Sequence, residues 1–134
     1  MNAANQALAR RCLAGAETDT ISFPEAVGLL AAAGFDGYLI DYRRGTATYY
    51  HGSGETLDLP AHVSPVAIAA AFDVETIRAA IRDAQMLVAG YTYPGFCDRV
   101  RAAGCAGYLV SIPGRRAMYF GRTAETHVEL FPGS

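Results

Sequence analysis

Slid against itself without gaps, the chain matches at an offset of 70 residues, and that match constrains its fold more than any other feature. Residues 23–56 and 93–126 are identical at eleven of 34 aligned positions: Pro24/Pro94, Ala32/Ala102, Ala33/Ala103, Gly34/Gly104, Gly37/Gly107, Tyr38/Tyr108, Leu39/Leu109, Ala47/Ala117, Tyr49/Tyr119, Glu55/Glu125 and Thr56/Thr126. With 25 Ala and 14 Gly in the chain, composition alone would yield roughly three. Duplication of one supersecondary unit explains the excess. Two copies are too few for a solenoid, so the pattern predicts packing about a pseudo-twofold axis within one domain.

Each copy reads as a helix followed by three strands. Ser22, Pro24 and Glu25 form an S-x-x-E capping box, and Val27, Leu30 and Ala31 recur at helical spacing until Gly34. The second copy starts at Thr92 and Pro94 and stops at Gly104. The apolar, β-branched segments 37–42 and 107–112 read as central strands covered on both faces. Turns at 43–45 and 113–115 lead into second strands at 46–51 and 116–121, and third extended pieces follow at 55–59 and 125–131. The other segments, read as unrepeated, are helical: 2–16, a short Ala-rich helix from Ser64 and Pro65 to Phe72, and a longer one capped by Asp73. The expectation is one α+β domain over 1–134, with units at 22–60 and 92–131 joined by helices at 64–88. Its sheet should be mixed or mainly antiparallel, with helices packed against it.

Composition narrows the chemistry. All 11 basic residues are Arg, so the Schiff-base, pyridoxal-phosphate and Walker-type chemistries that need Lys are excluded. A net charge of −2 argues against a nucleic-acid coat or an anionic membrane as partner. No charge-free run is long enough to span a bilayer, and no apolar run follows Arg10 and Arg11 as a signal peptide requires. Cys12, Cys97 and Cys105 form no C-x-x-C pair, so a reducing cytoplasmic setting is expected and no zinc knuckle. The remaining partners are a small-molecule ligand, a protein or a second copy of the chain.

The residues Ala103–Gly104–Cys105, Tyr108, Gly114–Arg115–Arg116–Ala117, Tyr119, Gly121–Arg122–Thr123, Glu125, His127, Glu129 and Phe131–Pro132–Gly133 resemble the YdfO-like family of small prophage-associated and bacterial proteins. Phe23–Pro24–Glu25, Tyr38, Asp41, Tyr49–Tyr50, Gln85 and Phe96 extend the likeness over nearly the whole chain. Family members often carry the label phage envelope protein. The resemblance implies a small α+β fold built on duplication and assigns no activity.

Chemistry is sought where the two copies differ. Leu57 and Leu59 of the first copy become His127 and Glu129 in the second, beside the shared Glu55/Glu125. A period of two puts Glu125, His127 and Glu129 on one strand face. There they could act as a general acid or base with orienting carboxylates, or as metal ligands. The alternative turns Val128 and Leu130 to the core and leaves the Glu/His/Glu face as solvated edge. We assign no metal and no cofactor. Six aromatics in symmetric positions, Tyr38, Tyr49, Tyr50, Tyr108, Tyr119 and Phe120, predict either a crevice along the pseudo-axis with hydroxyls for a ligand or an aromatic core whose hydroxyls reach the surface. Asp41 interrupts an apolar strand opposite Ser111 of the repeat, so it either pairs structurally or serves the site. Gln85 joins the ligand set through the resemblance. Arg116 stands with Arg43, Arg44 and Arg115 at the hairpin turns, where a phosphate contact competes with plain solvation. Two readings result: a non-enzymatic binding or interaction module, and a cofactor-independent enzyme with His127 as acid or base and the tyrosines around its substrate.

Overall fold

The capping signals act where the sequence places them. In a computed structural model, which describes residues 1–133, helix α2 (Phe23–Ala32) begins with Ser22 Oγ accepting the Glu25 N–H while Glu25 reaches back to the Ser22 backbone. Helix α4 (Tyr93–Ala102) begins with Thr92 accepting the Gly95 N–H. Both helices are followed by a glycine at positive φ, Gly34 (+88°) and Gly104 (+94°), which turns the chain into a strand. Strands β1 (Phe35–Asp41), β2 (Thr46–His51) and β3 (Thr56–Pro60) follow α2. Strands β4 (Cys105–Ser111), β5 (Arg116–Gly121) and β6 (Thr126–Leu130) follow α4. The protein is α+β: among the described residues, four helices pack on one side of a six-stranded antiparallel sheet of order β3-β2-β1-β4-β5-β6.

Every strand pairing of the first half recurs at an offset of 70. Tyr38↔Tyr49 becomes Tyr108↔Tyr119, Ala47↔Leu59 becomes Ala117↔Glu129, and the irregularity between Phe35 and Gly37 returns between Cys105 and Gly107. The halves join through β1 and β4, whose register centres on Leu39↔Leu109 and runs symmetrically to Gly37↔Ser111 and Asp41↔Gly107. A local twofold therefore passes through that leucine pair.

Three expectations are corrected. Residues 64–72 are not helical. They form a strap whose polar groups bind elsewhere: Ala69 N–H donates to Arg101 O (3.1 Å), Asp73 N–H to Ala103 O (2.7 Å), and Arg101 Nε to Val66 O (2.8 Å). The strap thus satisfies carbonyls at the end of α4 that a helix leaves open. Second, helices α1 (Ala3–Glu17) and α3 (Val74–Met86) are counterparts rather than unrelated additions. Each packs on the helix that follows it, and their buried positions, Ala9, Cys12, Leu13 and Ile77, Ala80, Ile81, share one spacing. Third, the central strands are covered on one face only. Tyr38, Ile40, Tyr108 and Val110 point to the helices, whereas Leu39, Leu109, Met118 and Phe120 are half-buried on the open face, outside the core cluster. Phe120 lies over Gly107, its Cζ 2.7 Å from where a Cβ would stand. That overlap shields part of the strand without a second layer.

Candidate functional site

The strand register fixes what faces the helices. Tyr49 and Tyr119 flank Tyr38 and Tyr108, giving four rings in a row across the sheet centre. The pairs Tyr38–Tyr49 and Tyr108–Tyr119 each have centroids 5.2 Å apart, tilted by 32° and 33°. Tyr38 and Tyr108 meet across the local twofold at 6.5 Å. These rings floor a cleft of about 590 Å³ between sheet and helices. Cys12 and Leu13 of α1 and Ile81 and Ala84 of α3 line it from the helical side, with Tyr93 and Phe96 of α4 at the flank. Phe23 and Phe131 meet edge to face at its mouth, 5.4 Å apart.

The phenols divide into two kinds. Tyr93 and Tyr108 share a hydrogen bond of 2.6 Å. Tyr38, Tyr49 and Tyr119 are 8%, 3% and 8% exposed, and their hydroxyls, on the cleft, have no hydrogen-bond partner among the described residues; the one enclosed hydroxyl without a hydrogen-bond partner among the described residues is that of Tyr42, which does not line the cleft. Burial raises the pKa of all five cleft phenols, so each is a neutral donor and acceptor near neutral pH. Tyr91, which also lines the cleft, is pushed up to about 12 by the same cause. The thiols are likewise raised by burial, Cys105 to about 12, which disfavours the reactive thiolate.

His127 and Glu129 face the helical side, because His127 pairs with Tyr119 and Glu129 with Ala117. His127 Nε2 lies 2.9 Å from Glu129 Oε2, and Glu129 lines the cleft. Val128 and Leu130 point the other way, 44% and 50% exposed, so the alternative facing is not adopted. Glu125 is exposed and precedes β6, in a turn where its N–H donates to Thr123 Oγ1. It does not join His127 and Glu129. Asp41 lies on the open face, with Oδ1 accepting the N–H groups of Arg43 (3.0 Å) and Arg44 (3.1 Å). Ser111, its counterpart, accepts the Gly114 N–H at 2.9 Å, so both hold hairpin turns. Arg116 is exposed and donates Nε to Gly114 O. Gln85 stands at the rim of the cleft. The cleft thus gathers Tyr38, Tyr49, Tyr108, Tyr119, Gln85 and Glu129, and leaves out Glu125, Asp41, Arg116, Tyr50 and Phe120; His127 touches it only through Glu129 and is not a lining residue.

Sequence reasoning missed Tyr91 and the walls from α1 and α3. Tyr93 carried a signal, being the counterpart of Phe23 at the mouth. Among the described residues, no group of three or more His, Cys, Asp or Glu is placed to hold a metal ion. No described helix is long and apolar enough to cross a membrane. No family model and no curated protein matches the chain, so the YdfO-like resemblance rests on the motifs quoted above.

The polar pair sits where the first half has Leu57 and Leu59 against the same partners, tyrosine and alanine. Replacing it by His127→Leu with Glu129→Leu should therefore stabilise the fold by about 1–2 kcal/mol through added apolar burial, a rise in Tm of roughly 3–8 °C. Thermal denaturation checks this. A fall in Tm would mean that the second half depends on the pair for folding.

Proposed function

We propose that this chain is a non-enzymatic binding module, and that its sheet–helix cleft takes a small, largely apolar organic molecule. The observation carrying this reading is that Tyr38, Tyr49 and Tyr119, buried as side chains, line the cleft floor with hydroxyls that have no hydrogen-bond partner among the described residues. A hydroxyl that opens on the cleft and is unused by the protein is free to bond a ligand atom, with a net gain of about 1 kcal/mol per hydrogen bond. The volume, about 590 Å³, falls within the usual range for small-molecule sites. Aromatic rings supply contact area, and the hydroxyls and rim supply orientation.

Nile red, a neutral carbonyl dye whose emission shifts in apolar surroundings, provides a test. The wild type should bind one equivalent with blue-shifted emission. Ala84→Trp, which fills the cleft from α3, should weaken binding at least about tenfold with Tm retained. Tyr49→Phe with Tyr119→Phe keeps the rings and removes two hydroxyls. It should hold or raise Tm while weakening the dye by about tenfold, near 1.4 kcal/mol. Dye binding that ignores Ala84→Trp would place the ligand elsewhere and overturn the reading.

A second reading is favoured by one contact. The His127–Glu129 pair at 2.9 Å, with Glu129 on the cleft wall, has the form of a base and its orienting carboxylate. Under that reading a bound small molecule is turned over, and His127→Gln abolishes turnover while leaving binding in place.

A further inference from the structure

The charge of the cleft wall is one-sided. Asp19, Glu25 and Glu129 line it, and none of its lining residues is Arg or His. Each carboxylate has one oxygen committed within the protein. Asp19 Oδ1 accepts the Tyr93 N–H at 2.8 Å, Glu25 Oε1 accepts from the Ser22 hydroxyl at 3.1 Å, and Glu129 Oε2 faces His127 Nε2. The second oxygen of each makes no hydrogen bond among the described residues. The N-terminus of α2 also borders the mouth, but its capping box of Ser22 and Glu25 is closed on itself. The helix end therefore offers little attraction to an anion. Arg115 lies over the Phe131 ring, 5.9 Å from its centroid, and is not a lining residue.

The floor favours the same sign. Tyr38, Tyr49, Tyr108 and Tyr119 make an aromatic floor in which Tyr38 and Tyr108 are crossed at 70°, and Tyr93 and Phe96 stack at 6.2 Å on its flank. The faces of aromatic rings are electron-rich and attract cations, most strongly where water is excluded. The hydroxyls of Tyr38, Tyr49 and Tyr119, on side chains more than nine-tenths buried and without a hydrogen-bond partner among the described residues, add acceptor oxygens within the same wall. We propose that the cleft selects an organic cation, with an apolar body against the tyrosine floor and its ammonium centre toward Glu129 and the acidic rim. This rests on the small-molecule reading above and names the ligand class.

Matched probes separate the two claims. Benzyltrimethylammonium and neopentylbenzene have the same shape and differ in the charge of one atom, and 4-tert-butylbenzoate is an anion of similar bulk. Each competes with Nile red at the single site. The cation should displace the dye at a concentration at least about tenfold below its neutral counterpart, with the benzoate weakest. Glu129→Gln should reduce the ratio between cation and neutral probe by about tenfold. Asp19→Asn, which retains an oxygen for the Tyr93 N–H, should reduce it less. If the dye binds once but the neutral probe or the benzoate competes as well as the cation, the charge preference is overturned and the cleft reading stands. If neither the dye nor any probe binds, both fall.

Discussion

Gly104→Ala should cost on the order of 4 kcal/mol, whereas the same change at its counterpart Gly34 should cost about 1–2 kcal/mol. Both glycines have φ near +90°, a conformation that disfavours any residue with a Cβ. Only Gly104 also lies against the strap. A Cβ there would stand 1.9 Å from Ala71 O and 2.7 Å from its carbonyl carbon, while at Gly34 it would meet the His51 ring at 3.1 Å. The half-buried His51 ring, held at Ala33 O and Ser53 Oγ (both 3.0 Å), can give by a few tenths of an ångström; the strap is backbone, tied by Asp73 N–H to Ala103 O at 2.7 Å, and must be displaced. Urea denaturation of the two variants measures the difference. Equal losses would show that φ strain alone sets the cost and that the strap contributes nothing.

Ile77→Ala should destabilise by about 3–4 kcal/mol, lowering Tm by roughly 10–15 °C. Ile77 is fully buried on α3 and is not a cleft residue, so truncation leaves an internal void with nothing to refill it. Its counterpart on α1 is Ala9, also fully buried. The two helices therefore sit at different depths of side chain over one layout. Ala9→Ile should accordingly be destabilising too, by about 1–3 kcal/mol, through overpacking. A neutral Ala9→Ile would mean that α1 has room to move outward, and thermal scans of both variants decide it.

The repeat made the sheet legible because strand register is a pairwise property. Equating the halves put six aromatics in symmetric positions, and the pairings Tyr38↔Tyr49 and Tyr108↔Tyr119 set four of them on the helical face and Tyr50 and Phe120 on the other. The same logic placed His127 and Glu129 with Leu57 and Leu59. Sequence alone left their facing open, because Val128 and Leu130 are as apolar as core residues; pairing with Tyr119 and Ala117 settled it. The open face was hidden for a related reason. Leucine at positions 39 and 109 masks the alternation that a one-sided sheet normally shows, and those are the residues on the twofold. The strap from 64 to 72 was misread because Ser-Pro followed by alanines carries helix-start signals, whereas its conformation is set by Arg101 and the end of α4. Asp41 was ambiguous by residue type, and the turn donors of Arg43 and Arg44 resolve it. Walls from α1 and α3 depend on how helices lie over a sheet, which no local pattern records.

The seam through Leu39 and Leu109 has a consequence for how the chain reaches its native state. Each half makes its own hairpins from neighbouring residues, and until the halves meet, β1 and β4 both present unpaired backbone edges. Because their sequences and registers correspond, the edge of one chain fits the opposite edge of another, and β1 also fits a second β1. Assembly is therefore a race between closing within one molecule and exchanging strands between molecules. A short tether gives the attached half an effective concentration in the millimolar range, and the segment 61–73 is that tether. Dilute refolding should therefore favour closure within one molecule, and concentrated refolding should favour strand-exchanged dimers, which size-exclusion chromatography after refolding at the two concentrations distinguishes.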